Sequence, residues 1–195
     1  HGERSKNAHT YLQILDFLAN NGFHRGDAIV ALGGGVTGDL AGFAASTYMR
    51  GIGFYQIPTT LLAMIDSSVG GKTAIDLPAG KNLVGTFYQP DGVYVCLAFL
   101  KTLPEIEVSN GLGELIKYAF LSRTISADDV RGGVTGDLIA RALEIKAKIV
   151  EEDEREGGKR MLLNLGHTVG HAVESLSGYT IPHGLCVYKG LGAAI

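Results

Sequence analysis

The sequence predicts an α/β unit followed by an all-helical one. Three observations carry that reading. A short apolar run from Asp27 to Leu32 ends in three glycines, as a buried parallel strand entering a tight turn would. A second run, Phe54 to Ile57, is closed by Pro58. After Pro104 the texture changes to apolar residues at helical spacing with no convincing strand. The boundary is placed near 100–104, giving domains 1–103 and 104–195.

In chain order, residues 8–21 carry Tyr11, Leu12, Ile14, Leu15 and Leu18 at helical spacing, stopped by Asn21-Gly22. The strand 27–32 follows. Residues 37–49 are small and apolar and suit a helix packed closely on a sheet. The strand 54–57 comes next. Residues 59–92 are dense in Gly, Asp, Ser, Thr, Lys and Asn and read as unusually long connecting structure, a texture associated with function. Val93 to Leu97 reads as a strand, with Cys96 buried in it. Helices are expected over 105–121, 136–152, 160–177 and 184–195.

Composition narrows the function classes. Hydrophobic residues make up 46% of the 195, and charged residues 19%, so the chain can bury a core and is not disordered. A net charge of −3 offers no basic excess for releasing counterions from nucleic acid. Two cysteines outside any C-x-x-C motif give no disulfide framework and point to a reducing compartment, the cytoplasm. No apolar run is long enough to span a membrane. Glycine is the anomaly: 28 residues, without a repeat, where about 7% is usual. The chain starts at His1 rather than Met and stops in an apolar helical pattern, so it reads as an internal piece of a longer protein, with both domains cut.

Three segments carry chemistry. Gly33-Gly34-Gly35-Val36-Thr37-Gly38-Asp39 joins the first strand to a helix, where glycines let a phosphate approach backbone amides and the helix N-terminus adds partial positive charge. It fits G-x-G-x-x-G, but residues 52–60 lack the acidic residue that the ordinary dinucleotide fingerprint wants. Between 66 and 82, Asp66, Lys72, Lys81 and Asn82 stand among glycines, and Arg50 precedes Gly51; these cations suit an anionic small substrate. His167, His171 and His183 fall within 17 residues. The first two share a helix face at i, i+4, a metal-ligand spacing, and a carboxylate would complete an open catalytic zinc site. Spacing leaves the carboxylate open among Glu114, Glu144, Glu174 and the acidic run 151–156, which itself reads as a solvated helix end.

These residues resemble the 3-dehydroquinate synthase family. The likeness runs through the glycine loop to Phe43, Tyr48-Met49-Arg50-Gly51, Ile57 to Leu62, Asp66 to Thr73 and Gly80-Lys81-Asn82. It continues through Leu100 to Pro104, Glu114 to Tyr118 and Leu163 to Ala172, with Gly2 to Lys6 upstream. The resemblance implies a partial Rossmann-like NAD-binding domain and a helical metal- and substrate-binding domain. It places Glu3, Lys6, Gly34, Gly35, Asp39, Thr59, Thr60 and Thr102 at NAD, together with Lys72 and Lys81. Glu114, His167 and His183 fall on ligands of zinc, or of cobalt in its place. His171 then becomes a substrate or proton-relay residue rather than a ligand. Asp66, Lys72, Lys81, Asn82, Lys117, Lys146, Arg160, Asn164 and His171 fall on substrate positions, with Lys72, Asn82, Lys117, Arg160 and His171 given catalytic roles. Arg50 matches an arginine donated across a homodimer.

The implied reaction turns 3-deoxy-D-arabino-heptulosonate 7-phosphate into 3-dehydroquinate and phosphate, in the shikimate route to aromatic amino acids. NAD transiently oxidises a secondary alcohol, phosphate is eliminated, the hydride returns, and an internal aldol step closes the ring. The net reaction is therefore a lyase reaction. The phosphorylated sugar acid is the expected partner, with neither nucleic acid nor membrane. A related cyclase making an inosose or valiolone ring, and a metal-dependent polyol dehydrogenase, are the enzyme alternatives. A non-catalytic NAD- or metal-binding remnant would have lost Lys72, Asn82 or His171, which are all present. Gly113, where the family usually has Ala, and Leu185-Cys186, where it has Glu-Ala, are departures that remove no implied ligand. The segment from Tyr118 to Arg160 is shorter than usual. The piece alone is expected to be weakly active or inactive.

Overall fold

A computed structural model describes residues 2–178 and 180–193. The chain forms two compact units, His1–Thr59 with Ser67–Cys96, and Thr60–Asp66 with Leu97–Ile195. The change of texture after Pro104 lies inside the second unit, and residues 60–66 also belong to that unit.

In the first unit, α1 (Ala8–Asn20) starts where the Asn7 side chain accepts a hydrogen bond from the Thr10 amide at 3.0 Å, satisfying one orphan donor. Strand β1 (Ala28–Gly33) pairs in parallel with β2 (Gly53–Pro58), from Ala28 opposite Gly53 to Gly33 opposite Pro58. Parallel strands need a crossover, and α2 (Gly35–Thr47) supplies it. Its small residues let it bury on two sides. Ala41 and Ala45 join Ala31, Ile52 and Phe54, while Leu40 and Phe43 join Ile75, with Tyr11 stacked on Phe43 at 4.6 Å. Gly42 sits at the tightest approach, where a Cβ would lie 2.5 Å from Thr73 Cγ2 and 2.9 Å from the Phe54 ring.

Residues 59–92 differ from the expected loop. They hold a π-turn, Ala63–Ser67, and an antiparallel hairpin of β3 (Lys72–Leu77) and β4 (Gly80–Phe87). In β3, Thr73 and Ile75 are buried while Lys72, Ala74 and Asp76 around them are not, a period of two that ends at the exposed Leu77 and that the surrounding glycines obscure. Gly85 is inside β4 because a Cβ there would lie 2.0 Å from the Thr73 carbonyl oxygen. The expected strand 93–97 shrinks to β5 (Gly92–Val93), paired with Tyr55 and Gln56 of β2. Residues 94–96 are irregular, and a 3-10 turn, Leu97–Thr102, follows them. Cys96 is exposed rather than buried in a strand, and both cysteines are free.

The second unit is helical: α3 (Glu105–Leu121), α4 (Ala127–Arg131), α5 (Gly136–Glu152), α6 (His167–Leu176) and α7 (His183–Ala193). The expected helix 160–177 is broken. A 3-10 turn, Lys159–Asn164, ends at Leu165, and Gly166 at φ 79° turns the chain into α6. That left-handed conformation costs an L side chain and suits glycine. Ala194 and Ile195, the end of the expected helix 184–195, lie outside the described residues. Helix α7 touches α3 closely: a Cβ on Gly184 would lie 1.9 Å from the Asn110 carbonyl oxygen, and the Gly184 amide donates to Asn110 Oδ1 at 2.7 Å. Among the described residues no helix is long and apolar enough to cross a membrane.

Candidate functional site

In the first unit the glycine loop lies where β1 hands over to α2. Gly34 is the N-cap of α2, in an extended conformation and with no side-chain hydrogen bond closing the helix end. Amides at such an end are free for an anion. Thr59, just after β2, donates its amide to the Gly33 carbonyl at 2.9 Å, tying the tops of the two strands together. Gly38, in the first turn of α2, faces the Gln56 side chain, whose Oε1 would be 2.5 Å from a Cβ, so a larger residue there would have to displace it.

Beside this loop, Lys6 is buried among acids. Its ammonium lies 2.9 Å from Glu3, 3.1 Å from Asp39 and 3.8 Å from Asp76, and donates to Asn82 Oδ1 at 2.7 Å. Asn82 adopts φ 56° and its amide donates to Asp76 at 2.8 Å. Burial raises the Asp39 carboxyl to about 6 against the pull of Lys6. Lys6 is held above the usual ammonium value, because Asp39 and Glu3 outweigh its burial. The structure thus brings Glu3, Lys6, Asp39 and Asn82 into one cluster. Lys72 and Lys81 lie exposed on the hairpin, and Arg50 is exposed after α2 at φ 70°. Thr60 and Thr102, expected at the nucleotide, are residues of the second unit. Thr60 Oγ1 accepts from the Ala63 amide at 3.2 Å, and Thr102 is exposed with its hydroxyl on Phe99.

In the second unit α3, α6 and α7 bring Glu114, His167, His171 and His183 together. One ring nitrogen from each of the three histidines lies within 4.8 Å of the others. Glu114 is fully buried, and neither carboxylate oxygen has a hydrogen bond of good geometry. Oε1 faces His167 Nε2 at 3.5 Å and His183 Nε2 at 3.4 Å. These separations are long for hydrogen bonds. They match the edge of a tetrahedron around zinc, roughly 3.4 Å for metal–ligand bonds near 2.1 Å. The other ring nitrogens face away: His167 Nδ1 lies 3.3 Å from the Leu165 carbonyl and His183 Nδ1 lies 3.1 Å from Glu174. An imidazole whose Nδ1 donates leaves Nε2 as an acceptor for a metal. The donor set therefore fits a divalent zinc-like ion.

Without an ion, burial opposes charge on these rings. It holds His167 below the usual imidazole range despite Glu114. At His183 burial is overcome by the facing carboxylates of Glu114 and Glu174, which raise it to about 9. Glu114 is held below the ordinary carboxyl range, since His183 and Lys117 outweigh its burial.

Adjacent to Glu114 stands a cation-rich cluster. Lys117 Nζ lies 2.5 Å from Glu114 and 3.8 Å from Asp66. Lys146 lies 2.5 Å from Asp66 Oδ1 and donates to its backbone carbonyl at 2.6 Å. Tyr118 donates to Asp66 at 2.9 Å. Burial would raise Asp66, but the two lysines hold it far below the usual range. Burial lowers Lys146, and the charges of Lys117 and Arg160 add to that effect. Arg160 is buried and donates to the Glu154 carbonyl, while its own amide donates to Asp153 at 2.9 Å. The Asp153 carboxylate also accepts from the Gly157 and Gly158 amides at 2.9 and 2.8 Å. The acidic run 151–156 is therefore more than a solvated helix end. Asn164 is exposed and donates to Glu156 at 2.9 Å.

A family model described as 3-dehydroquinate synthase N-terminal matches residues 1–110, and one described as 3-dehydroquinate synthase C-terminal matches residues 111–195. The chain belongs to the 3-dehydroquinate synthase family. A 3-dehydroquinate synthase of Streptococcus thermophilus is 51% identical over 200 residues, covering 97% of this chain and 56% of that protein. One from Legionella pneumophila is 52% identical over 206 residues, covering 99% and 55%. The chain thus spans about half the length of the curated 3-dehydroquinate synthases it matches. Among solved structures, a 2-deoxy-scyllo-inosose synthase complexed with carbaglucose-6-phosphate, NAD+ and Co2+ superposes with a TM-score of 0.90 at 34% identity, covering 98% of this chain and 55% of that one. A 2-epi-5-epi-valiolone synthase from Streptomyces hygroscopicus with NAD+ and Zn2+ superposes with a TM-score of 0.83 at 26% identity, covering 98% and 57%. A probable glycerol dehydrogenase from Sinorhizobium meliloti, at 16% identity and a TM-score of 0.60, shares the fold.

Within this family assignment, the structure also displays residues that motif reading passed over. Glu174 was one carboxylate among several; it is the one facing His183 Nδ1. Asp153, inside an acidic run, carries no local signal, whereas a hydroxyl or charged side chain on a buried helix face, as at Tyr118, is a signal that marks such positions. Lys146 shows that signal best, sitting on the same buried face of α5 as Leu138, Ala142 and Val150.

Proposed function

We propose that this chain is the NAD- and metal-binding part of a 3-dehydroquinate synthase, converting 3-deoxy-D-arabino-heptulosonate 7-phosphate into 3-dehydroquinate and phosphate. One observation carries the reading most strongly. The buried Glu114 carboxylate faces the Nε2 atoms of His167 and His183 at tetrahedral-edge distances, beside a lysine- and arginine-rich cluster. Its support in sequence is the 51–52% identity to curated 3-dehydroquinate synthases.

On this reading Glu114, His167 and His183 hold zinc, or cobalt in its place, and His171 stays free to relay a proton. When bound, the metal supplies Lewis acidity at a substrate hydroxyl and NAD supplies a reversible hydride acceptor. The chain's own residues do the rest. Gly34 and Gly35 present backbone amides to the nucleotide phosphates, with Glu3, Lys6, Asp39, Thr59, Thr60 and Thr102 shaping the surroundings. Lys117, Lys146 and Arg160 hold the carboxylate and phosphate of the substrate as fixed charges, with Asp66 setting the two lysines in place. Lys72, Lys81, Asn82 and Asn164 contact the substrate, and Lys72 and Lys81 also reach the cofactor. The protein works as a cytoplasmic homodimer in which Arg50 serves the partner's site.

The test is to give the full-length protein the heptulosonate phosphate with NAD and zinc. Dehydroquinate and phosphate should appear in equal amounts with no net NADH. A parallel arm with glucose 6-phosphate, chosen because the inosose synthase structure holds carbaglucose-6-phosphate, should release no phosphate. Phosphate release from the hexose arm alone, or accumulation of NADH with glycerol, would overturn the assignment.

A further inference from the structure

Glu174 has no part in the family likeness that the sequence carries, yet its position is specific. It lies on α6 at the third place of an i, i+4, i+7 series, His167, His171 and Glu174, so the three project from one helix face. The residue is 8% exposed, which is rare for a carboxylate without a partner or a task. Its Oε2 lies 3.1 Å from His183 Nδ1, while the opposite ring nitrogen of His183 faces Glu114 at 3.4 Å. His183 is the first residue of α7. Of its two ring nitrogens, one therefore faces a carboxylate on α6 and the other a carboxylate on α3.

The close seating of α6 against α7 keeps that arrangement rigid. A Cβ on Gly190 would lie 2.0 Å from the Gly166 carbonyl oxygen, and one on Gly170 would lie 3.1 Å from the Cys186 carbonyl oxygen and from Val187. Glycines at these places let Glu174 come within hydrogen-bond reach of a ring on the neighbouring helix.

We propose that Glu174 is a positioning residue for the metal ligand His183, accepting the Nδ1 proton and thereby fixing both the ring orientation and the tautomer that presents Nε2 to the ion. A carboxylate behind a metal-bound histidine does this work generally, and its loss commonly weakens metal binding ten- to a hundredfold. The inference rests on the ligand reading given above.

Zinc affinity is measured by competition with a chromophoric chelator for the purified protein and for Glu174→Ala, Glu174→Gln and His183→Ala. Glu174→Ala should bind zinc ten- to a hundredfold more weakly, with the circular dichroism and melting temperature of the metal-free protein preserved. Glu174→Gln keeps a neutral acceptor of the same shape and should recover much of that loss. Nitrogen-15 NMR of the imidazoles should show the His183 Nδ1 proton in the zinc-loaded parent and in Glu174→Gln, and a mixture of tautomers in Glu174→Ala. Unchanged zinc affinity in Glu174→Ala, with His183→Ala losing zinc, overturns the positioning role alone. Unchanged affinity in His183→Ala overturns the ligand reading and the inference with it. If Glu174→Ala melts early and Glu174→Gln behaves like it in affinity, the carboxylate is structural and the proposal fails.

Discussion

The two units each hold a buried charge cluster, and the clusters are opposite in sign. In the first, one cation, Lys6, stands among Glu3, Asp39 and Asp76. In the second, Asp66 stands among Lys117, Lys146 and the charge of Arg160. The first cluster is acid-rich and ties the start of the chain to the hairpin through Asn82 and Asp76. In the second, Asp66 is shared by two lysines, and Lys117 also lies 2.5 Å from Glu114. The titration of the two aspartates records the difference: burial wins at Asp39 and raises it, and the lysines win at Asp66 and lower it.

The sharpest way to break this contrast is to neutralise each aspartate in turn. Asp66→Asn leaves two buried lysines without their shared counter-charge and should destabilise the protein by about 3–5 kcal/mol, read by urea unfolding. The inorganic anion sulfate should then stabilise the variant more than the parent, because the two lysines are left without a counter-charge that sulfate can replace; equal stabilisation of both would break the comparison.

A packing change in the second unit comes next. Gly184→Ala drives a Cβ into the Asn110 carbonyl of the adjacent helix, and backbone cannot yield as a flexible side chain can. A loss of about 1–3 kcal/mol is expected, with zinc affinity falling too because His183 is the neighbouring residue. A neutral effect on both would show that α3 and α7 have room to separate.

The smallest effect belongs to Asp39. Its carboxyl titrates near 6 when folded and near 3.8 when unfolded, so the folded state binds the proton more tightly. Its contribution is greatest below about pH 4 and is lost as pH rises through about 6. Asp39→Asn should therefore gain thermal stability relative to the parent as pH rises across that window. A parent that gains on the variant over the same range would reverse the sign assigned to this cluster.

These contrasts also show what could be read from residue order. The helices 105–121 and 136–152 coincide with α3 and α5 because apolar periodicity over such a length admits no other pairing. The hairpin of β3 and β4 was hidden, since Gly85 exists for a backbone contact that no local pattern reveals. The break at Gly166 was hidden likewise: the apolar spacing continues through it, and only the left-handed turn separates the 3-10 turn from α6. At the site, the i, i+4 pair His167 and His171 was visible from spacing, but which carboxylate joins them was not. Glu114 and Glu174 lie on different helices, and only the folded chain shows one at Nε2 and the other at Nδ1 of His183.

Glu114, His167 and His183 are proposed to hold the metal while His171 serves the reaction. Metal analysis and phosphate release, measured together on purified His171→Ala and His183→Ala in the full-length protein, test it most directly. His171→Ala should keep stoichiometric zinc and lose turnover, whereas His183→Ala should lose zinc. Zinc lost from His171→Ala and retained by His183→Ala would contradict it.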